Sequence, residues 1–131
     1  MNISILFTII FIIFYLILTI ITINVRKSSK VAYGDDNNKK LIKAIRAHAN
    51  FFEFTVFFII YSFLLEILDA NQIYVLFVNI IFLLGRISHA YSMLKEKILF
   101  RVIGMMATLN IYALNCIYLL YLYVQYFNQL D

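Results

Sequence analysis

The chain has 131 residues, of which 64% are hydrophobic and 14% are charged, and its formal net charge is +4. Soluble domains carry about a quarter charged residues and at most about half apolar ones, so this composition indicates a protein whose solvent is lipid. A membrane-spanning helix needs roughly 20 mostly apolar residues, which leaves room for about four spans and excludes an extramembrane domain.

The first predicted span covers residues 3–25 and contains no charged side chain. A cleaved signal peptide places basic residues before a short apolar region and ends in small residues. In this chain the apolar run is long, and Arg26 and Lys27 follow it. We therefore expect a retained transmembrane helix.

The rest of the chain alternates between polar and apolar segments. A polar segment over residues 26–46 contains the turn signal Gly34-Asp35-Asp36-Asn37-Asn38. Three further spans are predicted over residues 48–68, 73–91 and 102–126. Because each span is apolar on all sides, as membrane helices are, we predict an all-α membrane protein in which residues 1–131 form one four-transmembrane-helix bundle.

The charged residues predict an orientation. Ten of the eleven basic residues lie in or beside two loops, with Arg26, Lys27, Lys30, Lys39, Lys40, Lys43 and Arg46 at the first loop and Lys95, Lys97 and Arg101 at the third. The opposite side carries Glu66, Asp69 and Asp131 and no basic residue. The positive-inside rule then places loops 1 and 3 in the cytosol and both termini outside. Topology accounts for the net charge, so nucleic-acid binding has no support.

Polar side chains recur along one face of three predicted spans. At about 100° per residue, the stripes are Arg46, Asn50 and Glu53 on the second span, Asn79, Arg86 and His89 on the third, and Arg101, Thr108, Tyr112 and Asn115 on the fourth. Ionisable groups within a membrane usually face a bundle interior or a watery cavity. A cluster of cations, amides and one carboxylate suits a small zwitterion with extra carboxylates, because arginine binds carboxylates bidentately.

Each of these residues also has a structural interpretation. Arg46 and Arg101 lie near helix ends, where long side chains can reach the headgroups. Glu53 can pair with Arg46 or Arg86, and the asparagines can hydrogen-bond neighbouring helices. His89 has no second histidine or cysteine at ligand spacing, so no metal site is expected.

Four segments resemble one known family. Residues 46–54, RAHANFFEF, resemble the second-helix signature R-A-x-x-N-x-x-E-Y of the MAPEG family, the membrane-associated proteins in eicosanoid and glutathione metabolism. Gly34-Asp35 and the LIKAI segment after it are similar to the entry to this helix in the bacterial branch. LGRISHA at residues 84–90 resembles L-G-R-x-x-H-A of the third helix, and RVIGM at residues 101–105 resembles R-x-x-G-M of the fourth.

The resemblance implies a homotrimer in a bacterial inner membrane, with glutathione as co-substrate near the cytosolic face between subunits. By this resemblance glutathione is held by Arg46, Asn50, Glu53, Arg86 and His89, and its sulfur faces Arg101. A nearby cation lowers the pKa of a thiol from about 8.5 and so produces the nucleophilic thiolate. The family's tyrosine after the glutamate is Phe54, its proline two residues later is Val56, and Met93 lies near the position of a third-helix tyrosine.

Three functions follow as hypotheses. The first is a glutathione S-transferase-like or peroxidase-like enzyme that acts on lipophilic small molecules from the bilayer. The second is a non-catalytic member of the same family that binds membrane lipids or serves as a scaffold, which the loss of the tyrosine hydroxyl at Phe54 favours. The third is a proton- or ion-conducting bundle with Glu53 and His89 as relay groups, which ranks last because no ring of charges lies at the middle of the spans.

Overall fold

Four α-helices make up the computed structural model, which describes residues 2–128. They are α1 (Asn2–Ser28), α2 (Lys39–Ile67), α3 (Gln72–Lys95) and α4 (Ile98–Asn128). All four are long and apolar enough to cross a membrane, and no strand occurs within residues 2–128. The predicted all-α, four-helix membrane bundle is confirmed. Asp131, which the sequence analysis placed on the outer side, lies outside the described residues.

The second helix begins earlier than its predicted span, at Lys39 instead of residue 48. The side chain of Asn38 caps it by accepting hydrogen bonds from the backbone N–H groups of Lys40 and Leu41, at 3.0 and 3.1 Å. Leu41 and Ala44 are then buried in the bundle. The helix therefore extends the predicted span of residues 48–68 into the polar segment, where burial of one face accompanies the helical conformation of residues 39–46.

Short connections keep consecutive helices adjacent and antiparallel. The connections α1–α2 and α3–α4 lie at one end, here called the basic end because every lysine and arginine except Arg86 lies in them or within about two helical turns of them. The opposite end, here called the acidic end, carries Glu66 and Asp69 near the α2–α3 connection. Positive φ angles at Gly34, Asp36 and Asn37 confirm the turn predicted at the basic end.

Helix α3 occupies the centre of the bundle and packs against the other three helices. The rings of Phe58 and Phe82 stack at 3.7 Å, and Phe11 meets both rings edge-on. Helices α3 and α4 approach closely at Gly85 and Gly104, where a Cβ on Gly104 would lie 2.5 Å from the Gly85 carbonyl oxygen. Helix α4 therefore follows α3 closely and touches α2 much less.

A buried polar network joins three helices towards the acidic end. The hydroxyls of Ser4 and Ser62 lie 2.7 Å apart, and Asn79 Nδ2 donates to Ser62 Oγ at 2.8 Å. Glu66 accepts hydrogen bonds from the backbone N–H groups of Ile3 and Ser4 in the first turn of α1. Asn79 thus has the predicted role of hydrogen-bonding a neighbouring helix, and it lies away from the candidate site.

Candidate functional site

A polar cavity of about 400 Å³ opens at the basic end between α2, α3 and α4. It is lined by Arg46, Ala49, Asn50 and Glu53 of α2, His89 and Met93 of α3, and Arg101 and Met105 of α4. Five of the six residues that the sequence analysis selected therefore share one cavity. Helical spacing places the selected residues of each helix on one face, and the packing of α2, α3 and α4 turns these faces towards the same space.

The sixth selected residue, Arg86, lies behind the cavity wall. Its side chain is 1% exposed, and its Nη1 donates to Asn50 Oδ1 at 3.2 Å and to the Asn50 backbone oxygen at 3.5 Å. The guanidinium carbon lies 5.0 Å from the centre of the Phe54 ring, a favourable cation–π arrangement. The Nε and Nη2 atoms have no hydrogen-bond partner in the described chain. A buried cation with unused donors is costly unless an anion or polar group compensates it.

Glu53 does not form the structural ion pair that the sequence allowed. Among residues 2–128 it pairs with neither Arg46 nor Arg86, and its side chain is exposed at the cavity rim. Arg46 and Arg101 are exposed as well, whereas His89 is buried and its Nε2 has no partner in the described residues. The cavity and its wall thus combine three guanidinium groups with one carboxylate, a net positive charge that suits an anionic ligand.

His48 lies on a different face of α2, as the helical spacing predicts. Its Nε2 is 3.1 Å from Thr19 Oγ1, and its ring packs 4.6 Å from that of Tyr15 on α1. No group of three or more potential metal ligands occurs within the described residues.

An apolar groove of about 620 Å³ runs beside the polar cavity between α2 and α4. It is lined by Glu53, Phe54, Phe57 and Tyr61 of α2 and by Leu109, Tyr112, Ala113 and Cys116 of α4. The groove exists because α4 packs closely on α3 and makes few contacts with α2. One of those contacts is the hydrogen bond from the Tyr112 hydroxyl to the Phe54 carbonyl. Glu53 lines both spaces, so the polar cavity and the groove adjoin at this residue.

Sequence reasoning missed several lining residues. Each stands four residues from a selected one on the same helix face, as in Ala49 with Glu53, Met93 with His89, and Met105 with Arg101. Met93 lies one turn beyond its stripe, whereas Ala49 and Met105 lie within theirs and are apolar, so a search for polar residues passed over them. The packing of Phe54 against Arg86 had no such signal, because it depends on how α2 and α3 pack.

The model of the MAPEG family matches residues 4–121, a range that begins in α1 and ends in α4. The chain belongs to the MAPEG family. It is similar to inner membrane protein YecN of Escherichia coli K12 and to the protein of the same name in E. coli O6:H1. Each is 33% identical over 86 residues, which cover 66% of this chain and 66% of the relative. No solved structure shows significant similarity to the chain.

Family membership and four apolar helices establish an integral, multi-pass MAPEG protein. Its segments that resemble MAPEG motifs form the three walls of the polar cavity. The R-A-x-x-N-x-x-E residues lie on α2, His89 of the L-G-R-x-x-H-A segment on α3, and Arg101 of the R-x-x-G-M segment on α4. Gly104 of the last segment also permits the close α3–α4 approach that brings two of these walls together.

Proposed function

We propose that this MAPEG protein is a glutathione-dependent transferase or peroxidase-like enzyme that binds glutathione in the polar cavity. One observation carries the proposal. Polar residues selected from three helices, namely Arg46, Asn50, Glu53, His89 and Arg101, line a single cavity that also borders an apolar groove. The volume of about 400 Å³ falls in the range of small-molecule sites.

The charges of the site are complementary to those of glutathione, which has two carboxylates, one ammonium group and a thiol. In the proposed complex Arg46 binds a carboxylate, and Glu53, which has no ion-pair partner in the described chain, binds the ammonium group. His89 and Asn50 hydrogen-bond the peptide backbone. Arg86 orients the Asn50 amide and adds positive charge behind it.

Arg101 is the proposed catalytic residue, since its cation stabilises the glutathione thiolate. The thiolate sulfur then attacks an electrophilic carbon of the second substrate. With an aryl chloride, a carbon–sulfur bond forms, the carbon–chlorine bond breaks, and chloride leaves with the bonding electrons. No protein nucleophile is required. The apolar groove supplies a route by which a lipophilic substrate reaches the site from the bilayer.

The proposal includes a homotrimer in a bacterial inner membrane, with the basic end in the cytosol. Arg46, Glu53 and Arg101 are exposed in the single chain, so a neighbouring copy would complete the walls around the ligand. The name of the E. coli relatives supports the inner membrane. Native mass spectrometry of the solubilised protein tests the trimer, and labelling of cysteines introduced at Tyr33 and Asp69 in spheroplasts tests the orientation.

Purified protein in nanodiscs provides the test of activity. We expect it to conjugate glutathione to 1-chloro-2,4-dinitrobenzene faster than the uncatalysed reaction. Arg101→Ala should retain glutathione binding and lose turnover, whereas Lys97→Ala, which changes an exposed cation four residues away, should resemble the parent. Equal turnover by Arg101→Ala and the parent would contradict the proposed mechanism.

A second candidate function is non-catalytic lipid binding, and the apolar groove favours it. The groove of about 620 Å³ is larger than the polar cavity and is almost entirely apolar apart from Glu53 and two tyrosine hydroxyls. Thermal melting with added ligands separates the two functions. Stabilisation by lipids together with no response to millimolar glutathione would support the lipid-binding function and oppose the enzyme.

A further inference from the structure

A second cavity of about 290 Å³ lies next to the polar cavity at the basic end. It is lined by Lys43, Ser92, Met93, Glu96, Ile98 and Arg101 and is here called the side cavity. Met93 and Arg101 line both cavities. A molecule in the side cavity would therefore reach the same arginine that faces the polar cavity.

An ion pair between Lys43 of α2 and Glu96 of the α3–α4 connection forms part of the side-cavity wall. Glu96 ends α3 in the left-handed conformation, with φ of 59°, and its backbone N–H donates to Ser92 O. Glycine is usually preferred at this position because other residues are strained there. A glutamate at this position places a carboxylate beside Lys43 that glycine would not provide.

The charges of the side cavity favour an anion. Lys43 and Arg101 contribute two positive charges and Glu96 contributes one negative charge, which leaves one positive charge in excess before glutathione binds. With a thiolate at Arg101, an incoming carboxylate has to displace Glu96 from Lys43. Met93 and Ile98 add apolar surface for the body of a ligand. Lys43 keeps 29% of its side chain exposed and Glu96 keeps 66%, so an incoming carboxylate can compete with Glu96 for the ammonium group.

We propose that the side cavity is a second electrophile subsite, separate from the apolar groove that admits lipophilic substrates, and that it selects small electrophiles bearing a carboxylate. Lys43 binds the carboxylate and so holds the electrophilic carbon near the thiolate at Arg101. This inference rests on the proposed function, because it takes the thiol to lie at Arg101. With an aryl chloride the carbon–sulfur bond again forms as chloride leaves, and the substrate carboxylate is unchanged.

Two matched electrophiles test the selectivity, namely 4-chloro-3-nitrobenzoate and the neutral 4-chloro-3-nitrobenzamide. The measured quantity is the ratio of kcat/KM for the acid to that for the amide, compared with the same ratio in the parent so that intrinsic reactivity cancels. Lys43→Met should lower the ratio about five-fold, the size expected for a partly exposed ion pair. Glu96→Gln should raise it, since the competing carboxylate is gone. Lys40→Met, at an exposed position three residues before Lys43, should leave it unchanged.

Binding of unreactive 3-nitrobenzoate, measured by calorimetry, separates this inference from the proposed function. Binding that depends on Lys43, in a protein that conjugates neither of these electrophiles nor 1-chloro-2,4-dinitrobenzene, would support a carboxylate-binding site in the side cavity and overturn the transferase. If the protein conjugates both electrophiles, and the acid-to-amide ratio of kcat/KM is the same in Lys43→Met, Glu96→Gln and the parent, the subsite is overturned and the transferase is not. Absence of both binding and conjugation would overturn both.

Discussion

The guanidinium Nη1 of Arg86 donates a hydrogen bond to Oδ1 of Asn50 at 3.2 Å and thereby joins α3 to α2 behind the polar cavity. The arginine is almost completely buried, and two of its nitrogen atoms have no hydrogen-bond partner among residues 2–128. Asn50 is the only side chain in the described part of the chain that accepts a hydrogen bond from it. Stability of the bundle and chemistry of the site are therefore coupled through these two residues.

Substitution of Asn50 should separate stability from binding. Asn50→Ala removes the acceptor and should destabilise the protein by about 1–3 kcal/mol, the cost of an unsatisfied buried donor. Asn50→Asp places a carboxylate beside Arg86, so we expect it to be more stable than Asn50→Ala and to bind glutathione more weakly than the parent. Thermal melting and calorimetry measure the two effects. Lower stability of Asn50→Asp than of Asn50→Ala would contradict this account of the pair.

Replacement of Arg86 tests the cost of its buried charge. Arg86→Met removes the charge at similar length and should change the unfolding free energy by less than about 2 kcal/mol, while glutathione affinity falls. Arg86→Lys keeps a charge but loses the planar guanidinium that reaches Asn50, so it should be less stable than Arg86→Met. The melting temperatures of Arg86→Met and Arg86→Lys, measured in the same detergent, show which variant is less stable. A lysine variant more stable than the methionine variant would show that the charge itself is well compensated.

Phe54 stands where the MAPEG signature has tyrosine, and its ring lies over Arg86 and borders the apolar groove. Phe54→Tyr retains the ring and restores the hydroxyl that the MAPEG signature has at this position. One additional hydrogen bond should improve glutathione affinity by about 1 kcal/mol, or about five-fold. Phe54→Leu loses the cation–π contact and should melt at a lower temperature. Unchanged affinity of Phe54→Tyr in calorimetry would place the ligand elsewhere.

The role of Arg101 predicts a change in the pH dependence of conjugation. A cation that lowers the thiol pKa increases the thiolate fraction below the pKa of free glutathione and has no such effect above it. If Arg101 lowers this pKa by about one unit, Arg101→Ala should lose about ten-fold in rate at neutral pH and recover most of it above about pH 9. Profiles of kcat/KM against pH for both proteins measure this. A loss that is the same at every pH would exclude thiolate stabilisation as its cause.

Gly104 should be essential for the packing of α3 against α4. A side chain at this position would meet the Gly85 carbonyl oxygen at 2.5 Å and the backbone nitrogen of His89 at 2.8 Å. Gly104→Val should therefore force the helices apart and cost about 1–3 kcal/mol or more. Met106→Val introduces the same residue at an exposed position of α4 and serves as the control. Similar melting temperatures for the two variants would contradict the close approach.

Much of the fold could be predicted because lipid-exposed helices need continuous apolar sequence, which composition and hydropathy reveal directly. The start of α2 could not be predicted, since residues 39–46 are polar enough to resemble a loop. Their helical structure depends on the Asn38 cap and on burial of Leu41 and Ala44, which are consequences of packing. The close approach at Gly85 and Gly104 also required coordinates, because small residues indicate a contact without naming its partner.

The sequence likewise predicted part of the candidate site. Helical spacing placed Arg46, Asn50 and Glu53 on one face of α2, and all three line the polar cavity. Spacing within one helix contains no information about contacts between helices, however. The sequence therefore did not reveal that Arg86 bonds Asn50 from behind the wall, or that Lys43 pairs with Glu96.

Calorimetric titration of glutathione into the purified protein in nanodiscs tests most directly whether the polar cavity binds this peptide. We expect saturable binding by the parent and by Lys40→Met, and an affinity at least about ten-fold lower for Arg46→Met, the loss expected for one charged hydrogen bond. A parent protein that does not bind millimolar glutathione, or an Arg46→Met variant that binds it as tightly as the parent does, would contradict the assignment.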